Sequence, residues 1–211
     1  FEKVLIMDLK LKICGMKFLE NILEISQLEP DLLGFIFYEN SPRNFEEKIP
    51  ELPGKIKKAG VFVNATFEEI TSKLDIHKLD YIQLHGNEAP EFCLKLQNKI
   101  PIIKAFSIDE NFDFKILKNY SESCTYFLFD TKGKNHGGNG MAFDWNILEN
   151  YKIEKKYFLS GGISLENVSD LKEFLKKDYA KNCLGIDINS KFEIAPGLKN
   201  TEKIIAFKSK L

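Results

Sequence analysis

Short apolar runs alternate along this chain with longer stretches that are apolar on one side only, the pattern of fully buried strands separated by amphipathic helices. The runs are "LKIC" (11–14), "LLGFIF" (32–37), "KAGVFV" (58–63), "YIQLH" (81–85), "PIIKAF" (101–106), "YFLFD" (126–130), "YFLS" (157–160) and "LGIDI" (184–188), and they predict eight strands. Helical periodicity follows in "FLENILEISQL", "TFEEITSKLDIHKL", "APEFCLKLQNK", "NFDFKILKNY", "FDWNILENY", "SLENVSDLKEFLKK" and "NTEKIIAFKSKL". Thr66 ahead of Glu69, and Ser164 ahead of Asn167, stand where helix N-caps belong. The connection after the second strand, "NSPRNFEEKIPELPGKIK", carries three prolines, so its helix should be short.

Eight strand–helix units in 211 residues predict a single α/β domain, a closed parallel (β/α)8 TIM barrel over residues 10–211. A doubly wound open sheet competes, but it would show fewer strands and a glycine-rich turn after the first; here that turn reads "CGMK", with one glycine. Residues 1–9 read as an N-terminal extension or expression remnant, with Met7 as a candidate native start.

In a barrel the chemistry gathers at the C-terminal strand tips. In order these carry Cys14, then Arg43 in the following loop, Asn64, His85, Ser107, Asp130, the pair Gly161-Gly162, and Asp187 with Asn189 and Ser190. The strand interiors are nearly free of such groups, apart from Gln83 and Lys104. "LSGGISLEN" places two glycines between a strand and a helix start, where backbone N–H groups are able to face an anion, and "DINSKFE" supplies a second polar loop; loops seven and eight form the usual phosphate pocket of this architecture. After Asp130, four glycines fall between Gly133 and Gly140, the composition of a binding or closing loop or of a flexible insertion. Two readings of Cys14 and Asp130 stand side by side: a core thiol and a strand-end cap, or a general base facing a general acid across the barrel mouth.

Composition narrows the partners. A net charge of −1 and a pI near 6.4 leave no basic stripe for nucleic acid and no polybasic patch for a membrane surface, so an anionic ligand must be held locally. No apolar run approaches the roughly 18–20 residues of a membrane span, and the expected location is cytoplasmic. Cysteines 14, 93, 124 and 183 show no metal-ligand spacing and read as reduced thiols, so no metal is expected. Of 30 basic residues only Arg43 is arginine; a chain this rich in lysine that keeps one planar guanidinium points to recognition of a carboxylate or phosphate.

The set "KICGMK", "GFIFYENSPR", "GVFVN", "IQLHGNE", "IKAF", "FDTKGKNHGGNGMAFDW", "LSGGISLENV" and "GIDINSKFEIAPGLKN" closely resembles, in the same order, the phosphoribosylanthranilate isomerase family of tryptophan biosynthesis. The resemblance implies a barrel enzyme that performs an Amadori rearrangement of N-(5′-phosphoribosyl)anthranilate to 1-(2-carboxyphenylamino)-1-deoxyribulose 5-phosphate with no cofactor, as a monomer or homodimer. It implies that Cys14 is the general base acting at C2′ of the ring-opened Schiff base and that Asp130 is the general acid that protonates the furanose oxygen. Arg43 then pairs with the anthranilate carboxylate, Asp187 lies near the sugar hydroxyls, His85 lies near the substrate, and Gly161, Gly162, Asn189 and Ser190 lie along the phosphate loops. Relatives often read Gly-Gly-Thr-Gly where this chain has "GGNG" (137–140), and Ser-Ser-Gly-Val-Glu where it has "NSKFE" (189–193), which changes the side chains offered to the phosphate.

Rival phosphosugar barrels fit less well. A histidine-branch isomerase would show paired aspartates and a half-barrel repeat, and an epimerase would need histidine metal ligands where only His77, His85 and His136 exist. An indole-glycerol-phosphate synthase would use strand-end lysines, an option that Lys104 alone keeps open. A non-catalytic phosphate-binding barrel would not need both Cys14 and Asp130.

Overall fold

The computed structural model describes residues 9–131 and 144–211. Eight parallel strands close into one barrel in sequence order: β1 (Lys10–Ile13), β2 (Leu32–Ile36), β3 (Lys57–Phe62), β4 (Tyr81–Leu84), β5 (Ile102–Ile108), β6 (Tyr126–Thr131), β7 (Tyr157–Ser160) and β8 (Cys183–Ile188). Closure comes where β1 pairs with β8, Lys12 lying opposite Asp187 and Ile13 opposite Ile188. The α-helices are α1 (Leu19–Ser26), α2 (Phe67–His77), α3 (Pro90–Gln97), α4 (Val168–Leu175) and α5 (Thr201–Lys210). A small antiparallel pair, β9 (Glu193–Ala195) and β10 (Leu198–Lys199), lies between β8 and α5. Residues 1–8 of the expected extension, and the glycine-rich 133–140 stretch, lie outside the described residues.

Local chemistry sets the element ends. Thr66 caps α2 through a reciprocal box: its hydroxyl accepts from the Glu69 backbone at 3.2 Å, and the Thr66 backbone donates to the Glu69 carboxylate at 2.7 Å. Ser164 donates its backbone N–H to Asn167 Oδ1 at 2.9 Å and opens a short 3-10 turn, Leu165–Asn167, ahead of α4.

Three helical expectations need correction. The β2–β3 connection holds no helix at all: Pro42, Pro50 and Pro53 interrupt every stretch long enough to start one, and Phe45, Ile49 and Ile56 cover that sector from irregular chain. "NFDFKILKNY" and "FDWNILENY" form 3-10 turns, Phe114–Tyr120 and Trp145–Asn150, where Asp113 and Asp144 cap from two residues upstream and the runs are too short to settle into α-geometry.

Two apolar cores lie on the two faces of the sheet. The outer one, between strands and helices, includes Phe35, Leu84, Phe106, Phe127, Phe129, Leu159 and Phe207, and holds most of the buried apolar side chains. The inner one is small: Leu32, Ala59, Ile103, Ala105, Leu128 and Phe158 fill the lower barrel. Each fully buried Leu, Ile or Phe contributes about 1.5–3 kcal/mol, so the outer layer carries most of the stability and frees the upper barrel for polar groups.

Candidate active site

Strand side chains alternate between faces, so the residue two places after an inner-core position points inward one layer higher. Ala59 is followed by Val61, Leu128 by Asp130 and Phe158 by Ser160; on β1 the inward pair is Lys12 and Cys14, on β8 Gly185 and Asp187. These upper residues line a cavity of about 220 Å³ at the C-terminal mouth, walled by Cys14, His85, Asp130, Asp187, Asn189 and Ser190, with Gly161 and Gly162 at its edge. Eight of the nine expected site residues therefore share one cavity, with the Cys14 sulfur and the Asp130 carboxyl at the same end of the barrel.

The ninth, Arg43, stands beside that cavity. Its Nε donates to both oxygens of Glu193, at 2.8 and 3.1 Å, and its Nη2 to Glu193 Oε2 at 2.6 Å, a bidentate pair that leaves Nη1 outside the clamp. Lys199 Nζ adds a bond to Glu193 Oε1 at 2.7 Å and one to Asn189 Oδ1 at 2.7 Å, so one carboxylate ties the arginine to the loop after β8. Burial works to raise the Glu193 pKa, yet Arg43 and Lys199 hold it below the ordinary glutamate value. Those bonds also raise the proton affinity of the guanidinium, while burial pushes Lys199 down.

Cys14 is fixed on all sides. Its N–H donates to Ile188 O at 2.9 Å, the Met16 N–H donates to Gly34 O at 3.0 Å, and Gly15 turns the chain at φ +75. A Cβ at Gly15 would fall 2.7 Å from Asn189 Oδ1 and 2.8 Å from Arg43 Cδ, so the glycine lets strand one, the arginine and loop eight converge. Burial pushes the Cys14 thiol up, and the Lys12 ammonium pulls it back.

Below Cys14, Lys12 is completely buried and donates to Asp187 Oδ1 at 2.9 Å. Ser160 Oγ reaches the Asp187 carbonyl at 3.2 Å and its Oδ2 at 3.4 Å. Burial pushes Asp187 up against the pull of Lys12, whereas Lys12, despite burial, is raised by Asp187 and the Cys14 sulfur. A fully buried ammonium keeps its proton only beside negative charge, so we take the pair as ammonium and carboxylate.

Across the mouth, His85 Nε2 lies 3.5 Å from Asp130 Oδ2, and Gln83 Nε2 lies 3.3 Å from His85 Nδ1. Gly161 and Gly162, at φ +80 and +68, bend the chain after β7, and Lys191 joins the cavity wall on the opposite loop.

Other candidates find structural places. Lys104 lies between the inward Ile103 and Ala105, hence faces away from the mouth, and its Nζ meets Glu88 Oε2 at 3.1 Å and Gly86 O at 2.8 Å. Asn64 receives the Asn87 N–H at 2.7 Å and stitches neighbouring loops, while Ser107 lies outside the cavity wall. Lys12, Ser160, Lys191, Glu193 and Lys199 are not marked by the sequence, and Gln83 stands out there only as a polar group inside a strand. Alternation from Cys14 and Asp187 would have placed Lys12 inside; no sequence signal marks the pairing of Glu193 with Arg43.

Comparison with known proteins adds a family. Residues 11–210 match the family model described as N-(5′-phosphoribosyl)anthranilate (PRA) isomerase. The N-(5′-phosphoribosyl)anthranilate isomerase of Parabacteroides distasonis is 45% identical over 205 residues, covering 93% of this chain and 90% of the relative. Among solved structures, phosphoribosyl anthranilate isomerase from Thermotoga maritima superposes with a TM-score of 0.83 at 32% identity, covering 96% of this chain and 98% of the other. A phosphoribosyl anthranilate isomerase in complex with reduced 1-(o-carboxyphenylamino)-1-deoxyribulose 5-phosphate gives 0.79 at 30% identity, over 96% and 97%.

Proposed function

Because the chain belongs to the N-(5′-phosphoribosyl)anthranilate isomerase family, we propose that its barrel mouth carries out the Amadori rearrangement of N-(5′-phosphoribosyl)anthranilate with Cys14 and Asp130 as base and acid. The observation that carries this reading is their placement in one cavity of about 220 Å³ that also holds His85, Asp187 and the loops after β7 and β8. The protein is an isomerase of tryptophan biosynthesis.

Asp130 in its protonated form donates to the furanose oxygen; the C1′–O bond breaks and the anilino nitrogen takes up the developing charge as an iminium. Cys14 as thiolate then removes the C2′ proton, leaving an enolamine. Protonation at C1′ with loss of the O2′ proton gives the ketone, so the isomerisation is balanced and both groups are restored. His85, with Nε2 3.5 Å from Asp130 Oδ2, orients the acid. Gly161, Gly162, Asn189 and Ser190 line the end of the cavity that takes the phosphate, where the two left-handed glycines turn the chain, and Lys191 adds charge. Arg43, steadied by Glu193, presents Nη1 to the anthranilate carboxylate, and Asp187 reaches the sugar hydroxyls from the floor. On this reading the enzyme works in the cytoplasm without metal or cofactor, as a monomer or homodimer, on a small phosphoribosyl substrate.

The test is direct. Loss of phosphoribosylanthranilate fluorescence should follow addition of the protein, and Cys14→Ser or Asp130→Asn should each lower kcat by about 10²–10⁴ with a much smaller change in substrate affinity. Affinity lost at unchanged turnover would refute the assignment of either residue, and a chain that fails to rescue a tryptophan auxotroph lacking this step would refute the activity.

A further inference from the structure

We propose that Lys12 is a positioning residue for Cys14: its ammonium, buried one pleat below the thiol, keeps the sulfur able to ionise inside the barrel. The proposal rests on Cys14 being the proton-abstracting group.

Lys12 and Cys14 are two residues apart on one face of β1, so both point into the barrel, the lysine beneath the cysteine. The Lys12 side chain is 0% exposed, and its positive charge acts on the sulfur from below. An apolar residue would fill this layer at lower cost, because a buried ammonium gives up its hydration and must be matched by an anion. The match is Asp187, 2.9 Å from Nζ and itself bonded to Ser160. That anchor keeps the ammonium in place one pleat below the cysteine.

The sulfur has little freedom to turn away. On the β2 side, a Cβ added at Gly34 would fall 2.7 Å from Cys14 Sγ and 3.0 Å from its Cα, so the strand packs against the cysteine. The charged groups facing Cys14 are Lys12 from β1, Asp187 from β8, Lys199 from β10 and Arg43 from the loop after β2, with His85 and Asp130 beyond Asp187. Burial and Asp187 disfavour the thiolate; the three cations oppose them, and Lys12 is the only one seated under the sulfur within the barrel. In the proton transfer the C2′–H bond breaks, an S–H bond forms and the electron pair stays on the substrate; Lys12 remains an ammonium throughout.

The test uses Lys12→Met, and Lys12→Met/Asp187→Asn to remove the charge that the single substitution would leave unpaired. Alkylation of Cys14 by iodoacetamide is followed across pH by mass spectrometry of its peptide, with Cys14→Ser as background, beside the pH profile of kcat/KM. In Lys12→Met the alkylation midpoint and the acidic limb of kcat/KM should move to higher pH, by about one unit, which is a tenfold loss of thiolate at neutral pH; in the double variant, which also removes the opposing Asp187 charge, they should move the same way by less. Variants that fold and lose rate equally at every pH, with both midpoints in place, would show Lys12 to be only a counterion for Asp187 and would overturn the proposal. Alkylation needs no substrate, so it decides this point even if the wild-type chain fails to turn over phosphoribosylanthranilate.

Discussion

Gly34 carries no side chain where β2 passes within contact of Cys14, and that gap has a measurable price. Gly34→Ala should push the sulfur out of line and lower kcat by about 10²-fold, the scale of a 1 Å misplacement, with an overpacking loss of about 1–3 kcal/mol read in a thermal melt. Glu193→Gln weakens the clamp on Arg43 and should raise KM by roughly tenfold for the natural substrate, equivalent to about 1.4 kcal/mol, while the affinity of an aniline analogue without the carboxylate changes little. Equal losses for both ligands would show that Arg43 does not read the carboxylate. Arg43 was visible in the sequence because it stands alone among 29 lysines. Lys12 and Lys199 are invisible for the same reason: among so many lysines nothing in the sequence marks the two buried beside the site, and Lys12 finds its partner 175 residues away.

The strands were legible because alternation and apolar runs record burial on two faces, and all eight lie within a few residues of where the pattern puts them. The helices were less so. Amphipathic spacing also suits a 3-10 turn, and the three prolines of the β2–β3 connection, read as shortening a helix, abolish it. Lys104 shows the limit of reading a strand without its faces: inside a strand it looked available for chemistry, yet it pairs with Glu88, which also accepts the Asn64 and Gly86 N–H groups at 2.8 and 3.1 Å. Lys104→Met leaves that carboxylate buried and unpaired, and should cost about 3–5 kcal/mol, roughly 6–20 °C in Tm, with kcat per folded molecule retained. A large drop in kcat at unchanged Tm would give Lys104 a chemical role instead.

At the scale of the molecule, closed topology followed from counting strand–helix units, and the place of the site followed from the topology, since strand tips of a parallel barrel share one rim. What the count could not give is how the rim is wired: Glu193 joins a loop after β2 to one after β8 across 150 residues. Its depressed pKa fixes a sign. Stability from this carboxylate is fully present above its unfolded value near ~4.3 and is lost as pH falls through the lower folded value. Melts between pH 3 and 7 should therefore show wild-type protein losing more Tm on acidification than Glu193→Gln; parallel curves would mean the clamp contributes nothing. The same wiring orders events during synthesis. A ribosome that has released only the residues up to β7 has already exposed Cys14, Arg43, His85 and Asp130, but β1 still lacks its β8 neighbour, Lys12 lacks its carboxylate and the guanidinium lacks its clamp. Residues 183–211 thus finish shape and reactivity in one step, and a chain stopped after β7 would display the proposed base and acid without the Asp187, Asn189 and Ser190 that complete the cavity around them.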